Sequence, residues 1–257
     1  MGIALLLAAG AGLATTVGSL LGIMVKKPGP RFMSFTLGFS AGIMIYISFV
    51  ELLAKAAEHA DVGFLKANIA FILGMGCYFL LDLAIPHEYE GQRDYADPPG
   101  NDAARKSANL ERTGLLVALG ISIHNFPEGM ATFVGAMENL DLGIAIAVGI
   151  AIHNIPEGLA IAAPVYAATG SRRKAFLWSF LSGVSEVLGA GIAALVLAPF
   201  MSGPLMGYVL AGVAGIMVVI SLDELIPAAK SFDSEHVPLI GTITGMLVMM
   251  LSLWMMR

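Results

Sequence analysis

Residues 41–52 read AGIMIYISFVEL, and residues 214–225 read AGIMVVISLDEL. The two stretches agree, in register, at Ala, Gly, Ile, Met, Ile, Ser, Glu and Leu. Apolar helices resemble one another easily, but chance seldom keeps a serine and a glutamate in step. A bilayer-spanning helix needs about 20 largely apolar residues, and eight such runs can be marked, at roughly 3–25, 34–54, 66–85, 113–137, 142–166, 174–198, 204–227 and 237–256. The first copy falls in the second run and the other in the seventh. An odd number of crossings separates them, so they point in opposite directions across the membrane. Inverted repeats of this kind recur in secondary transporters, whose binding sites lie near the midplane between the repeats.

Composition agrees with this reading. Of 257 residues, 57% are hydrophobic and 13% charged, and the mean hydropathy is +0.81, so lipid and not water is the solvent for most of the chain. The expected fold is an all-α membrane protein of eight transmembrane helices in a 3+2+3 arrangement, one transmembrane domain over 1–257. The glycines inside the runs, such as Gly10, Gly12, Gly18 and Gly22, suit close helix packing. The single cysteine, Cys77, excludes a disulfide framework and a cysteine metal cage. No basic residue precedes the first apolar run, so it reads as a span and not as a secretory signal.

Counting alternate loops, Lys26, Lys27, Arg31, Arg93, Arg105, Lys106, Arg112, Arg172, Arg173, Lys174 and Lys230 share one side, whereas only Lys55, Lys66 and Arg257 lie on the other. The positive-inside rule puts the first group in the cytoplasm and both termini outside. The expected location is the cell (inner) membrane, as a multi-pass protein. The one long polar segment, PHEYEGQRDYADPPGNDAARKSANLER at 86–112, is then a cytoplasmic loop between the third and fourth spans.

A second self-similarity carries the chemistry. Residues 120–131, GISIHNFPEGMA, return as GIAIHNIPEGLA at 149–160, in the adjacent and therefore antiparallel fourth and fifth spans. Both motifs fall at mid-bilayer, where an ionisable group costs at least ~2.5 kcal/mol and usually faces a cavity, a partner or a ligand. His124 and Glu128 are four residues apart and share a helix face, and Asn125 lies three residues from Glu128. His153, Asn154 and Glu157 repeat the pattern. Two imidazoles, two amide oxygens and two carboxylates brought together suit Zn, Fe, Mn, Co or Ni, with a glutamate able to bridge two ions. Interhelical hydrogen-bond glue is the bland alternative, but glue has no need of the pattern twice. Pro127 and Pro156 free the carbonyls of Ile123 and Ile152 and are expected to kink the two helices.

The sixth run holds one acid, Glu186, at its centre, a further candidate metal ligand. The repeat-related Glu51 and Glu224 lie nearer the membrane faces and are candidates for an entrance and an exit acid, with simple solvation the alternative. His59, His87 and His236 fall in loops, and Met44 and Met217 suit core packing. A membrane-embedded metalloenzyme is a competing class, but the chain has no His-Glu-x-x-His motif. A metal-selective channel would use the same ligands. No nucleic-acid partner is expected.

The paired HNFPEG and HNIPEG motifs, the central Glu186 and the 3+2+3 arrangement resemble the ZIP (Zrt/Irt-like) family of metal transporters, in particular its bacterial ZupT-type members. The resemblance covers nearly the whole chain. It implies uptake of Zn, Fe, Mn and related ions, with Co, Ni and Cd as further cargo, into the cytoplasm; these are substrates and not cofactors. It also implies a binuclear centre. His124, Glu128, His153 and Glu157 would form one position, and Asn125, Glu128, Asn154, Glu157 and Glu186 the other. A homodimer and a sliding-bundle mode of alternating access are implied as well. The 86–112 segment departs from many relatives in holding only His87 where they carry a histidine-rich tract.

Overall fold

The computed structural model describes residues 1–24, 29–83, 122–233 and 235–256. The expected 86–112 loop, with His87 and most of the cytoplasmic-side basic residues, lies outside the described residues, as does the start of the fourth span. Among the described residues every regular element is helical. They are α1 (Gly2–Met24), α2 (Pro30–Glu58), α3 (Gly63–Asp82), α4 (122–138), α5 (Leu140–Thr169), α6 (Arg172–Phe200), α7 (Gly203–Phe232) and α8 (Val237–Met255). Seven of these, all but α4, are long and apolar enough over the described residues to cross a bilayer. Large apolar side chains such as Leu6, Phe64, Leu73, Leu195 and Trp254 point outward, as expected when lipid is the neighbour.

Short signals set the helix ends. Asn139 caps α5 by accepting a hydrogen bond from the Asp141 amide, Ser171 caps α6 through the Lys174 amide, and Ser202 caps α7 through the Leu205 amide. Gly170, at φ 62°, ends α5 in the left-handed conformation that glycine adopts without strain. α4 and α5 run as continuous helix through Pro127 and Pro156.

The irregular turns fall elsewhere. Ser48–Leu53 in α2 and Ser221–Leu225 in α7 are π-helical, and so is Ala193–Leu197 in α6. In the first two, a serine hydroxyl donates back to the carbonyl four residues earlier, Ser48 to Met44 at 2.7 Å and Ser221 to Met217 at 2.8 Å. That bond competes with the regular backbone ladder and admits the wider turn. Its result is to turn Glu51 and Glu224 inward, each buried, while Val50 and Asp223 beside them are exposed. The sequence repeat is thus a repeat of a backbone device.

Two groups of helices pack internally backbone to backbone. In one, α1 lies against α5 and α6, and α4 against α6. A Cβ on Gly158 would collide with the Thr15 carbonyl, and one on Gly12 with that of Gly183. In the other, α2 packs on α8 and α3 on α7, with Gly42 against the Thr242 carbonyl and Gly215 against that of Phe71. Across the seam the contact differs in kind. A Cβ on Gly149 of α5 would meet only the side-chain ends of Ile47 and Met249. Met44 and Met217 are core residues, as expected.

A methyl at a backbone crossing forces helices apart, at about 1–3 kcal/mol. Gly158→Ala is therefore expected to lower the melting temperature in detergent by several degrees, and Gly149→Ala to change it little; equal effects would contradict the difference between the packed groups and the seam. For topology, in a Cys77→Ser background, Asp61→Cys is expected to react with a membrane-impermeant maleimide on intact cells. Arg173→Cys is expected to react only after permeabilisation.

Candidate metal centre

The doubled motif lies along the seam. His124, Asn125 and Glu128 of α4, His153, Asn154 and Glu157 of α5, and Glu186 of α6 are each no more than 1% exposed. Helical spacing puts His, Asn and Glu on one face of each helix, and antiparallel packing turns those faces together. All seven residues singled out in the sequence are thereby buried in one region, in contact as pairs. Glu51 and Glu224 lie apart from this cluster, although Glu224 reaches its edge.

The contacts are specific. His153 Nε2 stands 3.1 Å from Glu128 Oε1, across the α4–α5 interface. The other ring nitrogen, Nδ1, lies 3.0 Å from the Gly149 carbonyl, which can only accept. Nδ1 therefore carries a hydrogen, and Nε2 faces the carboxylate, to which the protonated ring donates when no metal is bound. A proton on Nε2 satisfies that pair, and a metal ion can take its place.

Both asparagines are anchored through their amide nitrogens. Asn154 Nδ2 donates to the Ala11 carbonyl at 3.0 Å and closely to Glu186 Oε1, and Asn125 Nδ2 donates to the Ser182 carbonyl at 3.3 Å. Their Oδ1 atoms are left without hydrogen-bond partners, as are Glu128 Oε2, Glu157 Oε2, Glu186 Oε2 and His124 Nε2. Buried polar atoms are normally hydrogen-bonded, and leaving one unmade costs about 1–3 kcal/mol. Orphans concentrated on one set of acceptor-rich side chains mark a place that binds something positive. Among the described residues no lysine or arginine is buried to supply the charge. The groups stand in pairs, and no three His, Asp, Glu or Cys side chains among the described residues close on one point.

The second group of helices contributes residues that the sequence did not single out. Ser40 of α2 donates to Glu157 Oε1 at 3.2 Å and to the His153 carbonyl at 3.4 Å. Tyr78 of α3 hydrogen-bonds closely to Glu224, and Glu224 Oε1 lies 3.7 Å from His124 Nδ1. Glu224 is thus held in the interior, which corrects the solvated alternative. Neither Ser40 nor Tyr78 belongs to a repeated motif, and only the three-dimensional contact reveals them. His59, expected to be a solvated loop residue, is half-buried with Nδ1 inaccessible, whereas His236 is exposed.

A family model described as the ZIP zinc transporter matches residues 86–253. The chain belongs to the ZIP family. It is 46% identical over 257 residues to the zinc transporter ZupT of Enterobacter sp. (strain 638), covering 100% of this chain and 98% of that protein. Against the zinc transporter ZupT of Salmonella newport (strain SL254), identity is 46% over 256 residues, with 98% and 96% covered. Against the ZupT of Escherichia coli O127:H6 it is 45% over 262 residues, with 100% and 98% covered. The ZIP match takes in α4 to α7 and most of α8, and so includes the whole buried cluster. ZIP proteins are transporters, so an enzymatic reading of the cluster falls away.

A dication that satisfies the orphaned acceptors binds only the folded state. At a free concentration of 100 times its dissociation constant it is expected to add about 2.7 kcal/mol of stability. Zinc should therefore raise the melting temperature of the purified protein, potassium should not, and Glu128→Gln/Glu157→Gln should abolish the zinc effect. An undiminished shift in that variant would place the stabilising ion elsewhere.

Proposed function

We propose that this chain is a carrier for divalent transition-metal ions, chiefly zinc, taken into the cytoplasm through two adjoining ion positions between α4 and α5. The observation that carries the reading is the set of unpartnered polar atoms on His124, Asn125, Glu128, Asn154, Glu157 and Glu186, buried with no buried lysine or arginine among the described residues. The printed names of the relatives, all zinc transporters, support zinc as cargo. Mixed nitrogen and oxygen donors also suit Fe, Mn, Co, Ni and Cd to differing degrees, since the amide and carboxylate oxygens are harder than imidazole. Inner-membrane placement with both termini outside, and assembly as a homodimer, belong to the same reading and rest on loop charge and family resemblance.

The mechanism follows from what the ligands must exchange. An arriving ion replaces the pairings now present, Glu128 with His153, Asn154 with Glu186 and Ser40 with Glu157, by bonds from the same atoms to metal. Glu128 and Glu157 each sit between a histidine position and an asparagine position, which suits them to bridge. Glu186 faces Asn154 and belongs to the asparagine side. Glu51 and Glu224 are the acids at the two ends of the seam, one an entrance and the other an exit.

A carrier is favoured over a channel by the contact pattern. Each helix group is locked internally by backbone crossings, whereas the seam holding the site is spanned by side-chain tips and a few hydrogen bonds. Interfaces of that kind slide at modest cost, and an intramembrane site carried on one group would then face the two sides in turn.

In proteoliposomes, zinc uptake is expected to saturate, and Glu157→Ala is expected to reduce it at least about 100-fold, since even residues that only orient metal ligands cost 10–100-fold. Undiminished flux through a folded Glu157→Ala protein would remove that residue from the site. In a competition assay with Zn, Fe, Mn, Co, Ni and Cd, Glu186→Ala is expected to alter the order of preference more than the zinc rate. An unchanged order would exclude Glu186 from the metal.

A further inference from the structure

A second collection of metal-seeking groups lies away from the buried centre. A cavity of about 380 Å³ is bounded by Glu51, Lys55 and His59 at the end of α2, and by Glu138, Asn139 and Asp141 at the α4–α5 turn. One wall comes from each helix group, so the cavity sits at the mouth of the seam. Lys55 pairs with Glu58 at 3.3 Å, which ties its charge to an acid outside the cavity lining. Glu51, Glu138 and Asp141 then leave the lining acidic.

His59 is not a casual neighbour. Its backbone carbonyl takes both the Val62 and Gly63 amides, which fixes the turn. The ring packs against Gly203 at the start of α7, where a Cβ would strike Nε2. Nδ1 is inaccessible and unpartnered. His59 thus lines the same cavity as the three carboxylates and carries an unpartnered nitrogen that a turn of the ring away from Gly203 would present to it.

The size of the space identifies the form of the cargo. Six waters around a dication take roughly 180 Å³ at ~30 Å³ each, which the cavity accommodates with room for exchange. No three of the carboxylates and imidazoles among the described residues converge tightly enough to strip an ion bare. We propose that this cavity is a capture vestibule for hydrated divalent metal ions, in which Glu51, Glu138 and Asp141 draw the ion in and His59 makes the first direct contact before the ion passes to the buried centre.

The vestibule presupposes the transport reading and adds to it a loading step at the outer face. Charge-lined clefts raise association rates about 10-fold to 1000-fold, and the gain fades with salt. Zinc uptake by proteoliposomes of the full chain, with zinc added outside, separates loading from transport. Glu138→Gln/Asp141→Asn is expected to raise the apparent KM about three- to tenfold at low ionic strength with kcat kept, and to converge on the parent protein at 0.5 M salt, within the range that steering allows. Asp61→Asn, on the same α2–α3 turn but outside the cavity lining, is expected to leave KM unchanged. An unaltered KM in the double variant, an equal change in Asp61→Asn, or a fall in kcat alone overturns the vestibule.

Manganese alone, titrated by electron paramagnetic resonance onto Glu128→Ala/Glu157→Ala, gives a readout that does not depend on transport. Weak binding is expected to persist there and to disappear when His59→Ala, Glu138→Gln and Asp141→Asn are added. No binding in the first variant overturns the vestibule. A parent protein that moves no zinc but shows the vestibule signal would instead overturn the transport reading.

Discussion

Three carboxylates, Glu128, Glu157 and Glu186, are fully buried in a helical bundle with no buried lysine or arginine among the described residues. Even after relaxation, an unpaired ion away from water costs several kcal/mol. The rest of the structure answers to that burden. Donors reach the acids from three directions: Ser40 from α2, Asn154 from α5 and His153 across the α4–α5 interface. Backbone crossings at Gly12 and Gly158 bring α1 close enough for the Ala11 carbonyl to hold Asn154. The small residues, which on their own say only that helices pack closely, set the distance at which the site can be built.

The two ends of the seam are related by sequence and unlike in structure. Glu51 and Glu224 sit in equivalent π-turns, each preceded by a serine bonded to a methionine carbonyl. Yet Glu224 is engaged by Tyr78 and stands beside His124, whereas Glu51 borders an open cavity. A pair of inverted repeats need not adopt the same conformation at the same time. In carriers built from inverted repeats, exchange of the two repeat conformations exchanges the open and closed ends.

Much of this was legible in the chain because it depends on spacing. Apolar length marks membrane crossings, and an i, i+3, i+4 pattern of His, Asn and Glu fixes a helix face wherever the helix is placed. The doubled motif therefore marked six residues that the fold buries on facing helices. What could not be read depends on tertiary contact or on backbone choice. Pro127 and Pro156 stand within continuous helix, and the wider π-turns appear where Ser48 and Ser221 compete for a carbonyl. Ser40 and Tyr78 carry no pattern at all, and their roles arise only because α2 and α3 lie across the seam from the motif.

The asparagines show how charge and geometry are reconciled. Asn125 and Asn154 occupy positions where aspartate would fit by size and would bind a metal more strongly. Each instead uses its amide nitrogen to hold a backbone carbonyl, of Ser182 and Ala11, and leaves its oxygen without a partner. An aspartate has no donor for those carbonyls and would face them with like partial charge. It would also add two charges to the three carboxylates already buried. The amides thus supply oriented oxygen donors already anchored to α1 and α6, at no further electrostatic cost.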